Sequence, residues 1–470
     1  MINTAIIVLF RKVLALGLFF YSHFACAQEF SLVLSDSAIQ QTAYSFNFDK
    51  KGKIWIGGNK LPIGSSDLKA WLYRINDQGI IEKKITFPYE GYQTWVGFGN
   101  LSNGKLAVVL GLKTAIDLTE NWLAVLDSNS IQSFRKIQGA DNAILKEVSL
   151  TRSSRLLLSG FRVGPNPQGN NFWLGKLNPE TANLDWVYED GFTPIDNVQA
   201  AIECKNGDIA FCGDVQQTSI NPFISRLDSN GLYIWDLAIQ TQWNDGSQKL
   251  LEDYLGNFWI VGESSTAAGP SFDTQINKVS PNGILLWQQW LGSEGQDAAF
   301  IIKKAISNGF WVGGYSNAST FGNGPVSPFL MRLDQNGNSL GEHFWSFPSP
   351  SPVYDMQIKG DTSFYFCGGT NDSVFLFKRN RPGLNNVFVV SKNELKSKSS
   401  MSIYYFNINK DYLLFPQNES STIAIYDLTG RKLLNTQVGA KYLQINGLSR
   451  GLYILTFENA DGIYSKRWIK

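Results

Sequence analysis

Three aspartates, Asp196, Asp245 and Asp297, stand roughly fifty residues apart, each just ahead of an apolar strand-like run. If the runs are equivalent strands of a repeat, the carboxylates fall at equivalent loops and could converge. Two such groups would support general acid and base work; singly, each would cap a loop and aid solubility. Trp95 and Trp243 lie in loops outside the repeated aromatic positions, so exposure near a shared mouth is expected, where a ring face could stack on a sugar. Histidine is scarce, with only His23 and His343 in the chain. A histidine-rich metal site is thereby excluded, and His343, in Gly341-Glu342-His343-Phe344-Trp345, reads as an outer-strand residue rather than a triad base. Asp334-Gln335-Asn336-Gly337-Asn338 has the oxygen density of half a calcium loop, without the glutamate that completes one. Hairpin turns explain that pattern with no metal, so no cofactor is expected.

The elements that must position these residues are periodic. Strand-like runs closed by glycine end at Gly57, Gly111, Gly160, Gly213, Gly262, Gly313 and Gly368. A second apolar landmark keeps step at Ile75, Leu126, Leu177, Leu227, Val279, Leu333 and Phe377. Turn signals follow it, such as Asp228 to Gly231, Ser280 to Gly283 and Asp334 to Gly337, and then a tryptophan-bearing strand around Trp235, Trp287 or Trp345. With a run ahead of each glycine strand, as at AAIEC ending at Cys204, every unit reads as four antiparallel strands. One four-stranded unit cannot bury both faces, whereas seven stacked radially cover one another. Trp55, Trp259 and Trp311 share one strand position and Trp186, Trp235 and Trp287 another, as packing between units requires.

The seventh unit lacks a convincing tryptophan strand. FSLVLSD, Phe30 to Asp36, sits where a fourth strand would precede the first unit, and is expected to close the ring; NNVFVV, Asn385 to Val390, is the competitor. Of the cysteines, Cys204, Cys212 and Cys367 lie in the repeats. Around a turn at Asn206-Gly207, Cys204 is expected opposite Ile209 and Cys212 opposite Ala201, out of register for a disulfide, so buried free thiols are expected.

Arg11 and Lys12 precede an apolar stretch, Val13 to Phe20, and a small-residue site at Ala25-Cys26-Ala27, the pattern of a signal peptide cleaved before Gln28. His23 and Phe24 are poorly suited to a lipid-modified Cys26. No later segment is apolar enough to span a bilayer. The chain has 41 basic and 40 acidic residues, a balance that implies no basic face for nucleic acid. Residues 391–470 carry 11 Lys and Arg against 6 Asp and Glu, a basic tail behind a mildly acidic body.

The repeats, typified by FLMRLDQNGNSL and a following tryptophan strand, resemble the degenerate blades of secreted bacterial β-propellers. The tail, with TIAIYDLTGRKLL (Thr422 to Leu434), INGLSRGLYILTFENADG (Ile445 to Gly462) and SKRWIK (Ser465 to Lys470), resembles the C-terminal sorting domain of type IX secretion substrates. That resemblance implies Sec passage, recognition by the type IX machinery, and cleavage near the linker with surface attachment or release. It carries Gly430, Gly451, Lys466 and Lys470 over as sorting determinants. The usual Tyr-Pro-Asn-Pro start is here Tyr404-Tyr405-Phe406-Asn407, which puts the first strand's register in doubt.

The expected chain is all-β: a signal peptide over 1–27, a seven-bladed β-propeller over 28–390, a linker over 391–400 and a small Ig-like β-sandwich sorting domain over 401–470. Its expected role is a secreted or surface binding or scaffold module for glycan or protein. A polysaccharide-acting lyase or hydrolase, with carboxylates at the propeller axis, is the alternative.

Overall fold

Each repeat folds into one four-stranded antiparallel sheet, and the order within it follows the chain from the axis outward. In the computed structural model the seven inner strands are Ile39–Phe48, Gln93–Asn100, Ala143–Leu150, Asp196–Glu203, Asp245–Glu252, Asp297–Lys304 and Val353–Lys359, here blades 1 to 7. Each inner strand lies against the next, and that of blade 7 against that of blade 1, so the ring is closed. The structure describes most of residues 30–380, apart from short loop segments, and beyond them mainly strands between 392 and 469. The expected signal segment and residues 385–390 lie outside the described residues.

The N-terminal strand, Phe30–Ser35, supplies the fourth strand of blade 7. It pairs antiparallel with Ser373–Asn380, from Phe30 opposite Lys378 to Ser35 opposite Ser373. Leu32 and Leu34 thereby pack on the core shared by blades 7 and 1, with Ile56, Trp71 and Leu376.

Every inner strand carries a register shift at one position: after Ala43, Trp95, Leu145, Val198, Ser247, Ala299 and Val353. Such a bulge inserts one extra residue and turns a backbone carbonyl toward the neighbouring strand. The residue paired there is glycine in six blades, because a Cβ would stand 1.8 to 2.1 Å from that carbonyl at Gly58, Gly160, Gly213, Gly262, Gly314 and Gly368. This corrects the glycine alignment. Gly58 and Gly314, not Gly57 and Gly313, hold the shared position, and in blade 2 Leu110 holds it, with Gly111 one residue beyond.

The hairpins on the opposite face explain the Asn-Gly signals. In blades 4, 5 and 6, Gly231, Gly283 and Gly337 adopt φ of 83°, 79° and 84°. A Cβ at any of them would also collide with a tryptophan of the preceding blade, Trp186, Trp235 or Trp287, at 2.6 to 2.8 Å. Trp235 Nε1 completes the dock by donating to Pro281 O at 3.1 Å. Trp55, Trp259 and Trp311 are buried between blades, each beneath a cation of the adjacent strand, Arg74, Lys278 or Arg332. Asp334 is a hairpin residue: its carboxylate accepts from the Asn336 and Asn338 backbone amides and from Asn338 Nδ2.

The cysteine register differs by one residue from expectation. The turn from Cys204 to Asp208 holds a left-handed Gly207, so Cys212 faces Ala200 rather than Ala201, and Cys204 pairs with Asp208 rather than Ile209. All three thiols are buried and free. Lys392–Asn393, inside the expected linker, adds a short fifth strand to blade 5 at Gln288 and Gln289, using the unpaired edge that an outer strand presents.

The tail folds as two antiparallel sheets. One has three strands, and the other runs Lys432–Val438, Ser421–Tyr426, Leu452–Asn459, Gly462–Ile469. The expected turn from Asn459 to Gly462 closes the last hairpin. Lys466 lies on the final strand opposite Leu455; Gly430, Gly451 and Lys470 lie outside the described residues. Among the described residues no helix is long and apolar enough to cross a membrane.

Gly213→Ala should lower unfolding stability by about 2 kcal/mol, because its Cβ overlaps Asn197 O with no side chain to yield. Gly246→Ala, whose Cβ meets nothing closer than 3.8 Å, should cost about 0.5 kcal/mol or less. Urea midpoints of the two variants check the contrast.

Candidate functional site at the channel mouth

The inner-strand bulges also build the mouth of the central channel. The extra residue of each bulge is Tyr44 in blade 1, Phe300 in blade 6 and Tyr354 in blade 7, while Lys146, Gln199 and Gln248 hold the position in blades 3, 4 and 5. The residue after the carbonyl-facing glycine joins them: Asp214, Glu263 and Tyr315 in blades 4, 5 and 6. Rings from three blades meet there. Tyr44 and Tyr354 have centroids 5.2 Å apart, Tyr354 and Phe300 6.3 Å, and Phe300 stacks on Tyr315 at 5.5 Å. The mouth is thus divided, with an aromatic arc over blades 6, 7 and 1 and amides and carboxylates over blades 4 and 5.

Burial raises the phenol pKa of Tyr44, Tyr315 and Tyr354, so all three stay neutral. Burial also pushes Asp214 up to about 6, against hydrogen bonds from Gln199 and Ser247. Asp214 Oδ1 accepts from the Ser247 backbone amide of the next blade at 2.7 Å, and Asn59 does the same for Trp95. These are latches between blades. Glu263 is raised by burial alone. Asp273 rises to about 6 through burial and its neighbour Asp297.

Below the mouth the channel is crossed by charge. Lys249 of blade 5 reaches Glu147 of blade 3 in an ion pair, with side chains 33% and 22% exposed, the surface of a channel ringed by protein. Burial pulls the Lys249 pKa down, but the Glu147 carboxylate outweighs it and keeps the amine charged. Asp355 of blade 7 is raised by burial, against the charges of Lys303 and Lys249, and accepts from Phe46 N at 3.1 Å.

The residues expected to form the site occupy other places. Asp196, Asp245 and Asp297 do open three consecutive inner strands, but they are 0%, 1% and 5% exposed. Asp245 knits its own blade, accepting from Thr241 Oγ1, Ser264 Oγ and Gln275 Nε2. Asp297 sits beside Asp273 rather than beside the other two. Trp95 is not exposed: it lies on the inner strand of blade 2, 6% exposed, with its ring over Gly57 and its Nε1 donating to Ser45 Oγ at 2.9 Å. Trp243 is partly exposed, but its ring meets Trp290 on the outer strand of blade 5, which places it toward the rim. His343 is on the outer strand of blade 6, partly buried, its pKa lowered by burial. Tyr44, Phe300, Tyr354 and Glu263 carry no mark in the sequence that singles them out. Their signal is a shared register position, visible only once the bulge is placed.

Residues 402–470 match the family described as the secretion system C-terminal sorting domain. With the closed ring of seven sheets, this makes the chain a β-propeller that carries a type IX sorting domain, a substrate of that export system and recognised by its machinery. Among curated proteins none matches the chain. Among solved structures it is similar to a catalytically inactive histidine-to-alanine variant of virginiamycin B lyase from Staphylococcus aureus with quinupristin. That likeness has 13% identity and a TM-score of 0.50, over 75% of this chain and 100% of that one. Hydrazine synthase of Kuenenia stuttgartiensis (7% identity, TM-score 0.48, 73% of this chain and 96% of that one) is also similar. So is a protein of unknown function from Dyadobacter fermentans (11%, 0.44, 75% and 98%). At these identities the likeness shows the fold alone.

A carboxyl raised from 3.8 to about 6 binds its proton more tightly folded than unfolded, so its burial costs stability above that pH and the cost fades as pH falls toward 4. Asp214→Asn should keep the latch, as Asn59 does in blade 1, and remove the cost. The variant is expected to gain stability at pH 7, about 3 kcal/mol as an upper bound, and little at pH 4. Thermal midpoints at both pH values check this; a loss at pH 7 that fades at pH 4 would show that the charge itself holds the latch.

Proposed function

We propose that this chain is a secreted or surface glycan-binding module, led through the Sec channel by residues 1–27 and sorted across the outer membrane by residues 402–470. Cleavage in the 391–400 segment then frees or anchors the propeller. The observation that carries the binding reading is the aromatic arc of Tyr44, Tyr354, Phe300 and Tyr315 facing carboxylates and amides across one mouth. Neutral ring faces stack on the apolar faces of sugars, and the polar half supplies hydrogen bonds to hydroxyls. The channel beneath is bridged by Lys249 and Glu147, which favours a ligand resting on the mouth over one threading the ring.

The second reading, a polysaccharide lyase or hydrolase, is favoured by one feature: Asp214, raised to about 6, has the acidity of a general acid. Against it, that carboxylate is 8% exposed and occupied by Ser247 and Gln199. A glycan array with the full purified chain tests the binding reading, with turnover of any bound glycan followed in parallel. Saturable binding to one glycan class is expected, and Tyr44→Ala and Tyr354→Ala should each weaken it roughly tenfold while His343→Ala leaves it unchanged. A blank array overturns the glycan reading and points to a protein partner; turnover lost with Asp214→Asn would establish the enzyme.

Export has its own test. A chain ending at residue 401 is expected to accumulate in the periplasm, followed by surface proteolysis and fractionation of cells. Its appearance outside the cell would overturn the sorting role of the tail.

A further inference from the structure

The polar half of the mouth has a notch whose chemistry is specific. On the inner strand of blade 5 the residue paired with Glu263 is Gly246, where the other blades with a paired residue there carry Thr42, Thr94, Ile144, Asn197 and Ala298. A Cβ at Gly246 would stand 3.8 Å from Asp214 Oδ1 and 3.9 Å from Glu263 Oε1, with no backbone atom pressing on it. The glycine is therefore not demanded by sterics. Its effect is to leave open the space between two carboxylates of adjacent blades. Asp214 is held by Ser247 and Gln199, whereas no hydrogen bond to Glu263 is formed among the described residues. The cation nearest along the strand, Lys249, is held by Glu147. On the far side Tyr315 lies close enough to Glu263 for that carboxylate to raise its pKa further, and its neutral ring is stacked on Phe300.

Two carboxylates, a floor without side chain and an aromatic wall together make a receptor for an organic ammonium group. We infer that the mouth selects amine-bearing sugars, with the ammonium of a 2-amino-2-deoxy residue in the Gly246 notch paired with Glu263, the buried Asp214 adding its charge from behind its bonds to Ser247 and Gln199, and a sugar ring against Tyr315 and Phe300. This rests on the glycan reading above and narrows it. An N-acetyl group would replace the charge with a bulkier amide and leave Glu263 without a counter-ion, and a neutral hydroxyl would offer one hydrogen bond in place of a charged one.

The test is calorimetric titration of the full chain with β-1,4-linked glucosamine tetramer, its N-acetylated counterpart and cellotetraose in one buffer. The glucosamine tetramer is expected to bind at least roughly tenfold more tightly than either of the others. Glu263→Gln should cut that preference to about threefold or less, and Gly246→Ala should do the same by filling the notch, with circular dichroism and unfolding midpoints matching the wild type. Equal binding of all three tetramers overturns the inference and leaves the glycan reading standing. A preference that survives Glu263→Gln overturns the assignment of the notch. Failure of all three to bind overturns the inference, and a blank glycan array alongside it overturns the glycan reading as well.

Discussion

Each sheet of this propeller has two faces to remove from water, and only its neighbours can cover them. The ring therefore depends on closure: leaving one junction open would expose a face of blade 7 and a face of blade 1 together. The chain meets this by lending its first strand to its last blade, six residues of Phe30–Ser35 paired along Ser373–Asn380. That pairing joins segments more than three hundred residues apart, so it carries an entropic cost in loop closure. Side-chain contacts repay it, with Leu32 and Leu34 on the core between blades 7 and 1, and Asp355 accepting from the backbone of Phe46 across the same junction. A buried carboxylate is a costly choice for such a place, and it is satisfied there by two backbone amides and by the charges of Lys303 and Lys249.

One local device, repeated in every blade, connects fold to site. In six of the seven blades the inner-strand bulge is met by a glycine on the neighbouring strand, which is why the repeats announce themselves in the sequence. Except in blade 2, where Val96 packs into the core, the same bulge turns one extra side chain toward the mouth, where packing constrains its identity less. Positions fixed by the carbonyl contact are thus nearly uniform, Gly58, Gly160, Gly213, Gly262, Gly314 and Gly368, whereas the bulge residues at the mouth range from Lys146 to Gln199 to Tyr354. Variation at a structurally invariant place is what a binding surface on a repeat scaffold requires.

This division explains what could be read without coordinates. Glycines, landmark apolar residues, Asn-Gly turns and packed tryptophans answer to local sterics and to burial, so the number of blades, their strand order and the closing strand were legible. The site was not, because a bulge changes which side chains share a face by one residue, and alternation alone does not reveal it. Trp95 shows the error: counted as a loop residue ahead of a strand, it is a strand residue whose ring fills the space left by Gly57. Asp245 shows another, since an acid at the start of an inner strand can as well serve hydroxyls and an amide of its own sheet as a ligand. The register of the cysteine hairpin slipped for the same kind of reason, a left-handed glycine adding a residue to the turn.

The charges under the mouth give the site its limits. Glu147 and Lys249 come from blades that are not neighbours, so their ion pair joins two inner strands past blade 4 and is not a blade interface. A pair in such a channel is partly desolvated and contributes little net stability, yet breaking it would leave an uncompensated charge inside the ring. Its consequence is positional. On the proposed binding reading, a ligand would meet a floor of fixed charge beside a wall of neutral rings, and its recognition would fall to side chains at the mouth. Those side chains are the ones the bulges free from packing, so a ring that needs near-identical blades to close can still present an asymmetric surface, aromatic over blades 6, 7 and 1 and acidic over blades 4 and 5.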